Sequence, residues 1–417
     1  MSLGVVGQYF MEFKIGDSVI PITIDSLNYM DVFEGIDRFL PTINLSFDDN
    51  SGVLTHMMLS DTLNTLTVTF ADDVYSDKIR SIEFDILRKN STTDQGAQSV
   101  IELSGTMRVT NLFSPNKKRG WASKSAKNVL GIIANEIGVF SINIDPKVDV
   151  VGDFAQHNLT NAEYLDCLRG DLSGRSGGSG FYIFFDCPSE ILEQGTYVGE
   201  YIEKSLGAYS PRINVVSIET MLANKVKYIF VSSEKDVYDD KTHEYPIFNF
   251  EPVDDGNLLS HAGVKEKSYS YFDFINGERV SSTIAINDRD TFVSLSDYIM
   301  TTDVSTSVSD DFLGRNSGSV ESNGVLNDYL KRVNDCVGVW LTTRGITDIY
   351  CGDIIQVVYI QGMADDELYS YIYSGYWLVT RVIHHFDSRY VTKLLLKRPG
   401  FDTDTETSFL KSTNRKK

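Results

Sequence analysis

The segment Tyr376–Lys397 constrains the fold more than any other feature of this sequence. It predicts two strands joined by a tight polar turn at 387–389, and Pro399 and Gly400 mark its end. The first strand has apolar side chains on both faces: Trp377, Leu378, Val379, Val382, Ile383 and Phe386. A strand of this kind needs a covering layer or a partner on each side. The segment therefore predicts a hairpin inside a layered β-structure.

Length and composition indicate an ordinary globular protein of several domains. The chain has 417 residues, of which 42% are hydrophobic and 23% charged. A chain of this length is too long to fold around a single hydrophobic core, so two to four domains are expected. The 23 phenylalanines and 22 tyrosines, together with many valines, isoleucines and threonines, favour β-structure.

The excess of acidic over basic residues argues against tight binding of nucleic acid. The formal net charge is -20 and the sequence pI is about 4.7. Binding to phosphates needs clustered lysines and arginines that displace counterions. An acidic surface is compatible with a wall that nucleic acid slides past. Solubility alone is the simpler explanation of the charge.

The cysteines and the N-terminus indicate a reducing compartment. Cys167, Cys187, Cys336 and Cys351 show no zinc spacing and no C-x-x-C, so free and mostly buried thiols are expected. The first residues lack a basic segment followed by an apolar run, and no window reaches 18 apolar residues. We expect no signal peptide, no stable membrane insertion, and folding in a cytoplasm.

Residues 1–112 predict an N-terminal β-barrel-like domain. A hairpin is expected around Gly16, and period-2 alternation at 65–70, 82–86 and 107–109 is typical of half-buried strands. Five or six short strands at this spacing favour a small barrel or sandwich.

Residues 113–220 predict an α/β domain. Apolar residues at helical spacing from Ala126 to Ile137 form one stripe, which Gly138 ends. A second helix is expected to start at Thr160, because Glu163 completes a capping box. A Ser/Gly loop at 173–180 then leads to an apolar strand at 181–185.

The remaining chain predicts two further domains and a tail. Residues 221–324 read as a β-rich middle domain with a flexible loop at 301–324. Residues 325–400 read as a C-terminal β-barrel-like domain, which begins with a short helix at 325–333 and has turns at Gly345 and Gly352. Residues 401–417 form a flexible polar tail. The expected fold class is α+β and β-rich, with two small barrels at the ends of the chain and mixed domains between them.

The adjacent His384 and His385 suggest chemistry but favour a structural role. Adjacent side chains on a strand point to opposite faces, so the pair cannot bind one metal together. We expect His384 to fill a polar slot in the barrel wall, with a ring nitrogen bonded to backbone.

Other candidate motifs do not form a catalytic or cofactor site. The loop at 174–180 lacks G-K-[ST]. It also comes after a helix, whereas a phosphate-binding loop comes before the helix whose N-terminus faces the phosphate. The paired acids Asp48-Asp49, Asp239-Asp240, Asp254-Asp255 and Asp310-Asp311 are expected in turns. None of these acidic pairs has the spacing of a calcium loop. The sequence predicts no catalytic, cofactor-binding or metal residue and no enzyme activity.

Three segments resemble the baseplate hub proteins of contractile-tailed phages, of the late-control-protein-D type. The first is 161–170 followed by 180–186, a helix and then a strand of aromatics. The second begins with the helix 325–333 and passes through Gly345 to 352–358. The third is the Val-x-x-Val-Ile-His stretch that ends at His384. Together these segments cover about a quarter of the chain; the loop at 173–180 departs from the family pattern.

The resemblance implies a virion structural protein assembled in the host cytoplasm. It implies a homotrimer in which each subunit gives two tail-tube-like barrels to a ring. Such a ring would adapt a six-fold tail tube to a three-fold tail spike protein, contact other baseplate proteins, and let DNA pass through its lumen without specific binding. Three alternatives stay open at this point: a hub of a related contractile injection system, a tail-associated cell-wall hydrolase, and a carbohydrate-binding β-protein.

Overall fold

The structure is a computed structural model that describes residues 8–15, 18–22, 24–49, 64–72, 76, 78–93, 99–148, 150–175, 181–191, 210–232, 244–255, 266–273, 278–285, 304–305, 337–361, 368–369, 373–387 and 389–398. Most of these residues lie in strands, and fifteen strands belong to one large, mostly antiparallel sheet. The fold is β-rich with several sheets, as the sequence predicts.

Seven strands from the N-terminal part of the chain build one arm of the large sheet, in the order β3-β4-β7-β6-β5-β1-β2. Their bounds are β1 (Gln8–Ile15), β2 (Ser18–Ile22), β3 (Leu27–Gly35), β4 (Thr42–Asp49), β5 (Asn64–Ala71), β6 (Lys78–Thr93) and β7 (Ser99–Met107). The predicted hairpin around Gly16 is confirmed by the pairing of Ile15 with Ser18. The expectation of a half-buried β5 is partly wrong: Thr65 and Thr69 are buried as well, and Thr69 Oγ1 lies 3.0 Å from Ser81 Oγ.

The α/β part of the chain has two small sheets and three helices among the described residues. The elements are β8 (Lys117–Ser125), α1 (Ala126–Glu136), β9 (Ser141–Ile144), β10 (Val151–Leu159), α2 (Asn161–Arg175), β11 (Phe181–Asp186), β12 (Glu190–Ile191), β13 (Arg212–Ser217) and α3 (Ile218–Leu222). Strands β8 and β10 pair with each other; β11, β13 and β9 form a three-stranded sheet in that order; and β12 joins the start of β6.

Both predicted helices are confirmed. The Ser125 side chain accepts a hydrogen bond from the Asn128 amide and caps α1, and Gly138 ends the helix with a φ of 73°. In the capping box of α2, the Thr160 amide donates to Glu163 at 2.7 Å and the Glu163 amide donates to Thr160 Oγ1 at 3.2 Å. The predicted loop start at 173 is wrong, because α2 continues to Arg175.

The C-terminal part of the chain builds the other arm of the large sheet. Its strands are β14 (Val226–Val231), β15 (Glu244–Pro246), β16 (Asn249–Asp255), β20 (Val337–Arg344), β21 (Ile354–Val358), β24 (Gly375–Phe386) and β25 (Tyr390–Arg398). Outside this arm, β17 (Glu266–Asp273), β18 (Glu278–Ala285) and β19 (Val304–Ser305) form a small sheet, and β22 (Ile360–Gln361) pairs with β23 (Leu368–Tyr369).

Strand β24 belongs to both arms. Its first half pairs with β21, where Leu378 lies opposite Ile354, and its second half pairs with β3, where His384 lies opposite Val32. The predicted hairpin with β25 is confirmed, with Phe386 opposite Tyr390 across the turn. Apolar cover on both faces is confirmed for 377–380, which are all buried, whereas burial alternates over 381–386. A register shift between Val379 and Arg381 separates these two halves.

Two hydrophobic clusters meet at the β24–β25 hairpin. One cluster fills the N-terminal arm and the α/β part and includes Phe386 and Tyr390. The other fills the C-terminal arm and includes Trp377 and Val379. The hairpin therefore connects the two cores as well as the two arms of the sheet.

Two of the acidic pairs do not lie in turns. Asp48-Asp49 and Asp254-Asp255 are the last residues of β4 and β16, because strand pairing continues to Asp49 opposite Ser99 and to Asp255 opposite Val337. The other two acidic pairs, the helix expected at 325–333, the tail 401–417, Cys336 and most of the loop 301–324 lie outside the described residues. The four domain limits stay predictions.

Gly345 is required by a close approach of the Tyr390 ring. A Cβ at this position would lie 2.1 Å from Tyr390 Cδ1, and the ring is buried. We expect Gly345→Ala to lower the free energy of unfolding by about 1–3 kcal/mol, since overpacking forces side chains from their rotamers. Gly170→Ala on α2 is the matched control: its Cβ meets no atom within 4 Å, so alanine should be neutral or stabilising by about 0.5–1 kcal/mol. Urea unfolding followed by circular dichroism checks both values, and equal stabilities would contradict the role of Gly345.

Candidate functional site

A buried charged network lies where the two arms of the large sheet meet. At its centre is Arg80 on β6, whose side chain is fully buried. Its guanidinium forms an ion pair with Glu34 on β3 and donates to the Cys187 carbonyl oxygen at 2.6 Å. A third bond joins Arg80 Nη1 to His384 Nε2 on β24, at 3.1 Å. One side chain thus connects residues more than 300 positions apart in the sequence.

Strand periodicity places these side chains in the interior. Alternate residues of a strand share a face, so a polar residue in phase with buried apolar neighbours must also point inward. The in-phase buried neighbours are Met30 and Val32 for Glu34, Ile82 and Phe84 for Arg80, and Val382 and Phe386 for His384. Buried charge is tolerated only where it is paired and hydrogen-bonded, and Arg80 pairs with both Glu34 and His384.

His384 is neutral, with its proton on Nδ1. Since the Arg80 guanidinium only donates, Nε2 must accept, and Nδ1 then donates to the Tyr390 hydroxyl at 2.7 Å. Burial, assisted by the positive charge of Arg80, lowers the pKa of His384 well below its ordinary value. The expected backbone bond to a ring nitrogen is wrong, because both nitrogens bond to side chains.

Three cations surround the ring of Tyr350. Their charged groups lie 4.6 Å (Lys227), 4.9 Å (Arg80) and 5.5 Å (Arg212) from the ring centroid. Arg212 in turn forms a bidentate ion pair with Asp186, at 2.9 and 2.5 Å. Burial raises the pKa of Tyr350 to about 12, and its hydroxyl accepts a hydrogen bond from the Ser189 amide at 2.6 Å. The ring of a neutral phenol attracts cations placed over its face through its quadrupole.

The segment 345–353 connects this network to the surface. Asp348 pairs with Lys78 at 2.7 Å and with Lys227 at 3.6 Å. The Thr347 amide donates to Asp72, which follows β5. These bonds attach a turn of the C-terminal arm to two strands of the N-terminal arm.

His385 lies on the opposite face of β24, as strand geometry predicts. Its Nδ1 donates to Asp31 on β3 at 2.6 Å, and this bond raises the pKa of His385. His384 and His385 therefore have separate partners. No group of three or more His, Cys, Asp or Glu side chains in the described part of the chain could hold a metal ion.

The chemistry of the network suits holding strands together. Arg80 and His384 are fully buried, so neither can touch a substrate. Burial raises the pKa of the Cys187 thiol to about 12 and that of Cys351 well above its ordinary value, so both thiols stay protonated and unreactive. Within the described residues, no helix is long and apolar enough to cross a membrane.

The sequence prediction missed Arg80 and Glu34. The signal that could have found them is their phase: each stands two residues from an apolar residue in a strand of alternating burial. Arg80 in phase with Ile82 and Phe84, already recognised as one strand face, marks a charge that needs a buried partner.

Glu34 gives the network a dependence on pH. Burial raises the pKa of this carboxyl to about 7, although the neighbouring Arg80 lowers it, and Glu34 Oε2 has no hydrogen-bond partner among the described residues. A carboxyl with a raised folded-state pKa contributes stability that is full below its unfolded value, near 4.5, and is lost as the pH rises through about 7.

We therefore expect the stability of the native protein relative to Glu34→Gln to fall by about 1–3 kcal/mol between pH 5 and pH 8. Glutamine does not titrate, so the difference between the two unfolding curves isolates Glu34 from every other group. A difference that is flat or rises with pH would contradict the raised pKa.

The fold is that of known tail proteins. A 43 kDa tail protein of prophage MuSo2 from Shewanella oneidensis matches 94% of this chain over 99% of its own length, with a TM-score of 0.56 and 9% identity. A tail protein from Neisseria meningitidis MC58 matches 95% of this chain over 98% of its length, with a TM-score of 0.55 and 9% identity. No family model and no curated protein sequence matches the chain.

Proposed function

We propose that this chain is a structural baseplate hub of a phage tail. The observation that supports this most is the fold, shared with two tail proteins over at least 94% of the chain. The buried network is consistent with it: a hub that transmits force between its two ends must not bend where they meet. The Arg80 cluster and the shared strand β24 connect the two arms at that junction.

The two-barrel architecture of the sequence prediction belongs to the same proposal. Strand pairings in the C-terminal arm run β14-β21-β24-β25-β20-β16, and β15, just before β16, pairs back with β14. These pairings support a small barrel there, which the chain connection from β15 to β16 would close, and β1 to β7 would supply the other. Three subunits with two barrels each would present six similar barrels to a six-fold tail tube. The same ring would present three equivalent subunits to a three-fold central spike.

The proposed hub works through its interfaces. It would form a homotrimeric ring, bind a tail spike protein and contact the tail tube and other baseplate proteins. The net charge of -20 favours a lumen that DNA crosses without binding.

Light scattering coupled to gel filtration tests the proposal. We expect a species of about 140 kDa, three times the 46.8 kDa chain, or its formation when a spike protein of the same tail is added. A stable monomer that ignores every spike would overturn the hub proposal. Zymography on bacterial cell wall tests the alternative that the chain is a cell-wall hydrolase. Lysis that an Asp or Glu substitution abolishes would favour this alternative over the hub.

A further inference from the structure

A groove separates helix α1 from the edge strand β9. It encloses about 590 Å³, and Ile142 and Ile144 of β9 face Gly131 and Ile132 of α1 across it. Phe140, directly before β9, has 85% of its surface exposed, and Ile132 has 37% exposed. The groove is therefore apolar at its base and open to solvent.

Strand β9 is a four-residue edge strand without a charged residue or proline. It pairs with β13 on one side, and no described strand pairs with it on the other. Natural edge strands usually have charges or proline that prevent pairing with another chain. The edge strand β16 has both, with Glu251, Pro252 and Asp254, whereas β9 reads Ser-Ile-Asn-Ile. This edge is available for an added strand.

Gly131 keeps the groove deep. A Cβ at this position would meet no atom within 4 Å, so the packing of the chain itself does not require glycine. Glycine inside a helix costs about 1 kcal/mol relative to alanine. A glycine on the wall of a groove suits close approach by another backbone.

The rim of the groove is positive. Lys124 and Lys127 line it, and no described carboxylate lies within ion-pair distance of either. Both are exposed. Unpaired lysines on a chain of net charge -20 indicate a local preference for an acidic ligand.

We propose that this groove binds an extended, acidic segment of another protein. The segment adds to β9 as a fourth strand of the β11-β13-β9 sheet. Its alternate apolar side chains enter the groove against Ile142 and Ile144, and its carboxylates pair with Lys124 and Lys127. Main-chain hydrogen bonds give affinity in such strand addition, while side-chain positions and charge give specificity.

Fluorescence anisotropy with labelled peptides tests the proposal on the full chain. The probe has a Val-Ser-Val-Ser-Val core flanked by glutamates, and its partner probe has lysines in their place. We expect the acidic probe to bind and the basic one not to bind. Gly131→Leu should weaken binding by about tenfold or more, whereas Gly170→Leu, at another open helix glycine, should leave it unchanged. Leucine favours helix over glycine, so the Gly131 variant is expected to fold.

Two further measurements test whether the peptide binds by strand addition and whether the groove prefers an acidic partner. Amides of 141–144 should exchange hydrogen more slowly with the acidic probe, and the double substitution Lys124→Glu and Lys127→Glu should reverse the charge preference. Equal binding of the two probes, or binding that Gly131→Leu leaves intact, would overturn the proposal. Self-association of the chain that Gly131→Leu abolishes would also overturn it, by making a second copy the occupant.

Discussion

Replacing Arg80 by methionine is expected to lower the free energy of unfolding by about 3–5 kcal/mol, the range for breaking a buried ion pair on one side. Methionine occupies a similar volume but has no donor. The substitution leaves three buried acceptors without Arg80: the Glu34 carboxyl, the Cys187 carbonyl oxygen and His384 Nε2. Each unsatisfied buried group costs about 1–3 kcal/mol. Urea unfolding monitored by circular dichroism measures the loss.

A double-mutant cycle separates the ion pair from the rest of the network. At pH 8, where the Glu34 carboxyl is ionised, Glu34→Met alone should also destabilise, because it leaves Arg80 as an uncompensated buried charge. The double variant, with methionine at both positions, should be less destabilised than the sum of the two single variants, since neither charge remains. Arg88→Met, on the same strand but with an exposed hydrogen bond to Asn90, is the control and should change stability by less than about 0.5 kcal/mol. Additive effects at Arg80 and Glu34 would contradict the pairing.

The sequence predicts local structure well where periodicity and caps agree. The β24–β25 hairpin, helix α1 and the Thr160 capping box depend on residues a few positions apart, and all three are confirmed. The predicted cover on both faces of β24 is confirmed for 377–380, which are all buried; its pairing with both arms was not predicted.

Polar strands are invisible to the same reasoning. Strand β8 reads Lys-Lys-Arg-Gly-Trp-Ala-Ser-Lys-Ser and buries little of its surface, so no apolar period marks it. Its partner β10 has the same character, with only Phe154 and Gln156 fully buried. These two strands are stabilised by pairing with each other, and the sequence of either strand alone does not indicate that pairing.

Long-range pairing explains why the network was missed. The sequence shows where a strand lies but not which strand it adjoins, and β3 joins β24 across some 350 residues. The phase of Arg80, Glu34 and His384 on their own strands indicates that each points inward, but not which residue each one meets. Only the pairing of the two arms brings them to one point, so the site follows from topology rather than from a motif.

The second large effect is expected at Trp377, on the half of β24 that lies in the C-terminal arm. Trp377→Ala should lower the free energy of unfolding by about 3–5 kcal/mol, as for large aromatic side chains removed from a packed core. The ring is 1% exposed, its Nε1 donates to the Tyr373 carbonyl oxygen at 3.1 Å, and the guanidinium of Arg398 lies 4.0 Å from the ring centroid. Alanine would leave a cavity and remove the ring beneath that guanidinium.

The neighbouring Tyr376→Ala is the matched control. Tyr376 occupies the adjacent position of the same strand, with 43% of its surface exposed, and adjacent side chains point to opposite faces. Its loss should cost about 1 kcal/mol or less. Circular dichroism is the suitable probe, since the Trp377 substitution itself removes one of the three tryptophan fluorophores. If the proposed trimer forms through this arm, Trp377→Ala should also shift the light-scattering mass toward the monomer, while Tyr376→Ala should not. Equal destabilisation by the two substitutions would mean that β24 is not covered on the Trp377 face, and the feature that most constrains this fold would then have been misinterpreted.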